Sequence, residues 1–160
     1  MATVSVTPDQ DSVLGEIFIA APPLRVFEAL TDPNQLPQWW GQNGRYRLTT
    51  CHNDIRPGGR WESFGVEADG KKFVASGEYV EVDPPHRLVY TWKGDWDGGV
   101  PSVVHWDLMG SGDGTLVKLR HSGFAAHPET GKRYSGGWPS VLGWMKAFVE
   151  KGETVEMRPD

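Results

Sequence analysis

The chain is poor in the features that announce a chemistry. It has one cysteine, Cys51, so no internal disulfide can staple it. Its five histidines, His52, His86, His105, His121 and His127, show neither H-x-x-x-H nor HExxH spacing, and no metal site is expected. There is no G-x-S-x-G elbow, no phosphate loop and no dinucleotide fingerprint. The alternating glycines of Gly110-Ser111-Gly112-Asp113-Gly114 fall in a turn between two strands, not between a strand and a helix, so no cofactor is expected. Excess basic charge is missing too. The net charge is −5, the pI is about 5.5 and Lys and Arg are scattered, which argues against nucleic acid as a partner. No window is long and apolar enough to enter a membrane as a helix. Met1 to Ser12 lacks the basic run and apolar segment of a signal peptide, so the cytoplasm is the expected location.

What is present is tryptophan. The eight are Trp39, Trp40, Trp61, Trp92, Trp96, Trp106, Trp138 and Trp144. Each offers a large ring and one N–H donor, which suits cores and cavity walls alike. At 160 residues the chain suits one domain, and no staple is needed at this size. The expected domain spans residues 12–152, with flexible tails at 1–11 and 153–160. So many tryptophans could also leave an exposed apolar patch, which a homodimer would cover.

Periodicity orders the elements. Val13 to Ala20 reads as a strand, with Gly15, Ile17 and Ile19 on one face. Pro22-Pro23 ends it and opens a helix burying Val26, Phe27 and Leu30. Asp32-Pro33 reads as the N-cap and first turn of a second short helix ending near Trp39-Trp40. Strand signals follow at Arg45 to Cys51, Arg60 to Val66, Lys72 to Val82, Arg87 to Lys93, Ser102 to Met109 and Thr115 to Ser122, with Ala68-Asp69-Gly70 as a hairpin turn. A connection runs from Gly123 to Gly136. Trp138, Val141, Leu142, Met145, Phe148 and Val149 then form the apolar stripe of one long helix. Pro139 either lies in the first turn of that helix or kinks it. In the first case Ala125 to Gly136 is a loop that could gate a cavity. Strands joined by tight turns with one strong helix predict an α+β layered domain.

Alternation turns Val104, Trp106 and Leu108, Val117, Leu119 and His121, and Leu88, Tyr90 and Trp92 toward the helix. His121 is therefore a polar residue on an apolar face. It is either a core histidine bonded to a carbonyl or hydroxyl, or a polar anchor in a cavity wall. Glu78 is inward by strict alternation with Val80 and Val82, and outward if Gly77 marks a bulge.

Several ordered blocks resemble a known family. They are Ala21 to Pro33 followed by Trp39-Trp40; Pro57-Gly58-Gly59-Arg60-Trp61; Gly77 to Trp92; Gly112-Asp113-Gly114-Thr115; His121-Ser122-Gly123-Phe124; and Gly137-Trp138. Together they resemble the SRPBCC (START-like) superfamily. The branch they resemble most is the bacterial group similar to the C-terminal domain of activators of the Hsp90 ATPase. The resemblance covers roughly residues 13–151. It implies a helix-grip fold: a curved antiparallel sheet of six to seven strands around a long C-terminal helix, with two short helices after the first strand. It also implies a cavity, since members bind lipids, sterols, polyketides or flavonoid-like molecules.

The leading expectation is a binder of a small hydrophobic or aromatic molecule. The expected wall is Trp40, Trp61, Tyr90, Trp92, Trp106, Leu119, His121, Trp138, Leu142, Met145 and Phe148. The alternative is a cyclase- or hydrolase-type enzyme for polyketide-like substrates, with Glu78 and His121 as candidate catalytic groups and Glu62, Tyr79 and Tyr90 as further proton carriers. A chaperone-associated module, suggested by the family name alone, ranks last.

Overall fold

Among the described residues, nine strands form one antiparallel sheet. The computed structural model describes residues 1–159. In chain order the elements are β1 (Thr3–Val6), β2 (Ser12–Ile19), α1 (Pro23–Thr31), α2 (Leu36–Trp39), β3 (Gly41–Gln42), β4 (Tyr46–Asn53), β5 (Arg60–Glu67), β6 (Lys72–Asp83), β7 (Arg87–Gly94), β8 (Ser102–Ser111), β9 (Gly114–Ser122) and α3 (Pro128–Lys151). The spatial order is β1-β2-β9-β8-β7-β6-β5-β4-β3. Only the β2-to-β9 pairing closes a long loop in sequence; β3 to β9 pair as successive neighbours. The sheet curves around α3, and bulges at Leu48/Thr50 and Tyr79/Glu81 bend it locally.

The period of two decides which side chains meet the helix. On β2, Val13, Gly15, Ile17 and Ile19 are buried while Leu14, Glu16 and Phe18 are exposed. On β8, Val104, Trp106 and Leu108 are buried. Outside, His105 lies across from Arg120 and Asp107 from Lys118, as alternation predicts. The C-terminal half of α3 supplies Leu142, Met145 and Phe148 to the core, and α3 packs most closely on β1 and β2.

Five expectations change. The sheet has nine strands because β1 and the two-residue β3 extend its edges. Residues 1–11 are not a loose tail: β1 pairs with β2 from Thr3↔Glu16 to Val6↔Val13, and the Asp11 carbonyl accepts the N–H groups of Gly123 and Phe124. Residues 153–159 are tied down as well, while Asp160 lies outside the described residues. Val155 is buried in a short helical turn, and the Arg158 guanidinium donates to the carbonyls of Trp39, Gly41 and Trp144. Asp32 caps the C-terminus of α1 rather than opening α2. Its side chain takes the Asn34 N–H and its carbonyl takes those of Gln35 and Leu36, so Asp32-Pro33 forms the turn and Pro37 occupies the first turn of α2.

The fifth change concerns α3. It begins at Pro128 and runs continuously through Pro139 to Lys151. There is no gating loop over residues 128–136. Proline forfeits a helical hydrogen bond and crowds the carbonyl four residues back, that of Ser135. Pro139 lies on the exposed side of the helix, where water can solvate that carbonyl. Replacing it should therefore stabilise the fold. Pro139→Ala is expected to raise unfolding stability by roughly 1–3 kcal/mol, measured by urea denaturation. A loss of stability would show that proline's geometry is required there.

Candidate functional site

The first half of α3 reaches the sheet through the side chains of Tyr134 and Trp138 but does not pack solidly on it. Between Arg133, Tyr134, Gly137, Trp138 and Val141 of α3 and the concave face of β4 to β7 lies a cavity of about 370 Å³. Leu30, Leu36 and Trp40, from α1, α2 and the residue after it, close one end. Phe73, Ala75 and Tyr79 come from β6, Tyr90 and Trp92 from β7, and Trp61 and Ser63 from β5. The cavity persists because its walls are rings that cannot bend to fill it. Trp40 stacks on Trp92 with centroids 6.3 Å apart, and Trp61 tilts against Trp92 at 5.2 Å.

The indole N–H groups are directed into the wall. Trp61 donates to the Thr91 carbonyl at 3.1 Å, Trp92 to the Tyr134 hydroxyl at 2.9 Å, and Trp138 to Nδ1 of His121 at 3.1 Å. The first of these bonds explains Gly77. A Cβ there would lie 1.9 Å from the Thr91 oxygen and 2.8 Å from the Trp61 nitrogen, so only glycine lets the indole reach across β6. Gly77 faces inward with Phe73, Ala75 and Tyr79, and Glu78 is exposed on the outer face. The bulge that breaks alternation sits two residues later, at Val80. It brings Val82 back toward the core.

His121 is fully buried behind the cavity wall. The Trp138 indole can only donate, so Nδ1 of His121 accepts and Nε2 carries the hydrogen. Nε2 then donates to Ser102 Oγ at 2.7 Å, and that hydroxyl passes a hydrogen to the Trp92 carbonyl at 3.3 Å. Neither ring nitrogen is left for the cavity. Burial drives the His121 pKa down to about 3, so the ring is neutral. The same cause pushes the hydroxyls of Tyr79, Tyr90 and Tyr134 up, and they stay protonated.

The expected wall is thus divided. Trp40, Trp61, Tyr90, Trp92 and Trp138 line the cavity. Trp106, Leu119, Leu142, Met145 and Phe148 belong to the solid core beside it, and His121 is buried behind its wall. The reason is visible at Gly15, where a Cβ would stand 3.2 Å from both Leu119 and Leu142: that half of the interface is closed tight. Tyr134 was hidden because its segment reads as a loop. Phe73 and Tyr79 share the β6 face, but alternation anchored on Val80 and Val82 turns them outward. Of the eight tryptophans only Trp96 is exposed, at 43%, so tryptophan makes no surface patch of the kind a dimer would cover. Trp96 sits in the β7–β8 loop at the mouth of the cavity, edge-on to Phe73 at 5.4 Å. Among the described residues no cluster of His, Cys, Asp or Glu could hold a metal, and no helix is long and apolar enough to cross a membrane.

A bent antiparallel sheet around its C-terminal helix, two short helices at one end and an aromatic hollow between them define a helix-grip domain. The chain belongs to the family described as Activator of Hsp90 ATPase homolog 1-like protein, whose profile matches residues 20–150. Solved structures repeat the fold. A Rhodobacter sphaeroides protein superposes with a TM-score of 0.79 at 20% identity, covering 93% of this chain and 98% of its own. A Chromobacterium violaceum protein gives 0.73 at 27% identity, covering 88% and 97%. An AHSA1-like protein of Aeromonas hydrophila gives 0.74 at 24% identity, covering 88% and 93%. No curated protein matches the chain. Family membership fits a ligand-binding type of domain.

The His121 arrangement has a measurable consequence. The unfolded chain binds a proton near the ordinary pKa of 6.5, while the folded protein refuses it down to about 3. This contribution to stability is complete above pH 6.5 and is lost progressively as the pH falls toward 3. Between pH 7 and 4.5 it should amount to about 2 kcal/mol, absent in His121→Gln when urea unfolding of the two proteins is compared. In the wild type the His121 ring resonances should not titrate over that range. A midpoint near 6 would contradict the assignment.

Proposed function

We propose that this protein binds a small molecule with an apolar, aromatic body in the cavity between β4–β7 and the first half of α3. The observation that carries the reading is a hollow of about 370 Å³ walled by aromatic faces, with the indole N–H groups of Trp61, Trp92 and Trp138 each engaged by a hydrogen bond within the wall. Aromatic walls left facing a hollow of that size forgo packing contacts, and an apolar ligand would recover them. Flat stacked rings favour a flat guest, since offset or edge-on aromatic contacts add about 0.5–1.5 kcal/mol per pair beyond burial.

The enzymatic alternative draws no support from its assigned residues. Glu78 is on the far side of the sheet, and both nitrogens of His121 are engaged within the wall. Tyr79 and Tyr90 line the cavity as neutral phenols, able to donate hydrogen bonds but not to act as bases near neutral pH. Nothing favours a chaperone-binding role over ligand binding.

Tryptophan fluorescence tests the reading, because Trp40, Trp61, Trp92 and Trp138 all line the cavity. Titration with a flavone, an anthraquinone and a naphthol should quench or shift the emission saturably with at least one of them. Ala75→Phe places a ring into the hollow from β6. It should weaken that binding by roughly tenfold or more while leaving the melting temperature level or higher. Failure of all three compounds to bind would remove the proposal.

A further inference from the structure

The charges of the cavity are confined to its mouth. Every fully buried lining residue is uncharged, from Leu30 and Leu36 through Tyr79 and Tyr90 to Val141. The charged lining residues are Arg45, Glu67 and Arg133, and all three are exposed. Arg45 is held in place. Its guanidinium lies over the Trp144 ring at 5.3 Å and donates to Ser140 Oγ at 3.2 Å. Arg133 projects from the second turn of α3. Among the described residues neither arginine forms an ion pair with a carboxylate. Glu67 lies across from Tyr46 on the paired strand and forms none either. The lining residues at the rim therefore carry two cations and one anion, while the nearby Asp97 carboxylate is taken up by Tyr134, Gly99 and Val100, in a protein whose overall charge is −5.

From this asymmetry we propose that the ligand is an amphiphilic carboxylate, its aromatic body inside the cavity and its carboxylate at the mouth beside Arg45 and Arg133. The reading rests on the cavity being a binding site, and adds the charge and the orientation of the guest. A carboxylate cannot go in first. Its desolvation would find neutral phenols, an amide and a serine, with no cation to offset it. At the mouth it keeps part of its water and gains guanidinium donors suited to carboxylate geometry. An ammonium at the same place would meet two like charges and, among the lining residues, only Glu67 in its favour.

Three probes with one body separate the possibilities: naphthylbutanoate, naphthylbutanol and naphthylbutylamine, titrated by tryptophan fluorescence at low salt. The acid should bind roughly 5- to 10-fold tighter than the alcohol, and the amine weakest, with the acid's advantage shrinking in salt. In the Arg45→Gln, Arg133→Gln double variant the ratio of acid to alcohol affinity should fall to about one. In Glu67→Gln it should rise. Equal binding of acid and alcohol, or tightest binding of the amine, overturns the carboxylate assignment while the cavity reading stands. Binding of none of the three defeats the cavity reading itself.

Discussion

The hydrogen bonds that fasten the cavity tryptophans to the wall are the constraint on which the rest depends. An indole free to rotate would swing into a neighbouring hollow and fill it, since apolar surface is worth about 25 cal/mol per Å² when removed from water. Here Trp61, Trp92 and Trp138 are each anchored by their N–H to Thr91, Tyr134 and His121. Two of those anchors are themselves held, Tyr134 by Asp97 at 2.8 Å and His121 by Ser102. The result is a cavity whose shape is set by polar contacts behind it and whose surface is apolar in front.

This division explains why α3 does two jobs along its length. Its later turns close down on β1 and β2 with Leu142, Met145 and Phe148, and provide the cohesion of the domain. Its earlier turns stand off from β4 to β7 and roof the hollow with Tyr134, Trp138 and Val141. Tyr134 also reaches Asp97, whose other carboxylate oxygen takes the N–H groups of Gly99 and Val100, so the loop carrying Trp96 is tied to the same helix. Gly94 accommodates that arrangement: a Cβ there would lie 2.5 Å from the Trp96 ring. Roof and mouth are thus one connected structure.

The fold was legible in the sequence because strong alternation on β2, β8 and β9 and one amphipathic helix leave few ways to assemble. The ordered family blocks pointed to the same arrangement. The site was only half legible. Facing the helix and facing the cavity are the same thing to a periodicity of two, so Trp106 and Leu119 could not be told from Trp92 and Tyr90. Where the helix lifts from the sheet is decided by tertiary packing. The start of α3 was obscured by Gly136, Gly137 and Pro139, residues of low helix propensity that packing overrides. Glu78 depended on the position of one bulge, and one residue of displacement turns a side chain to the opposite face.

Hydrogen exchange of the indole N–H groups in the ligand-free protein, followed by NMR, tests the anchoring most directly. The account predicts that the protons of Trp61, Trp92 and Trp138 exchange as slowly as those of Trp39 and Trp106, whose indoles donate to Ala29 and Tyr90 within the core. Exchange as fast as that of exposed Trp96 would show that the cavity walls are loose, and that the hollow is not a preformed site.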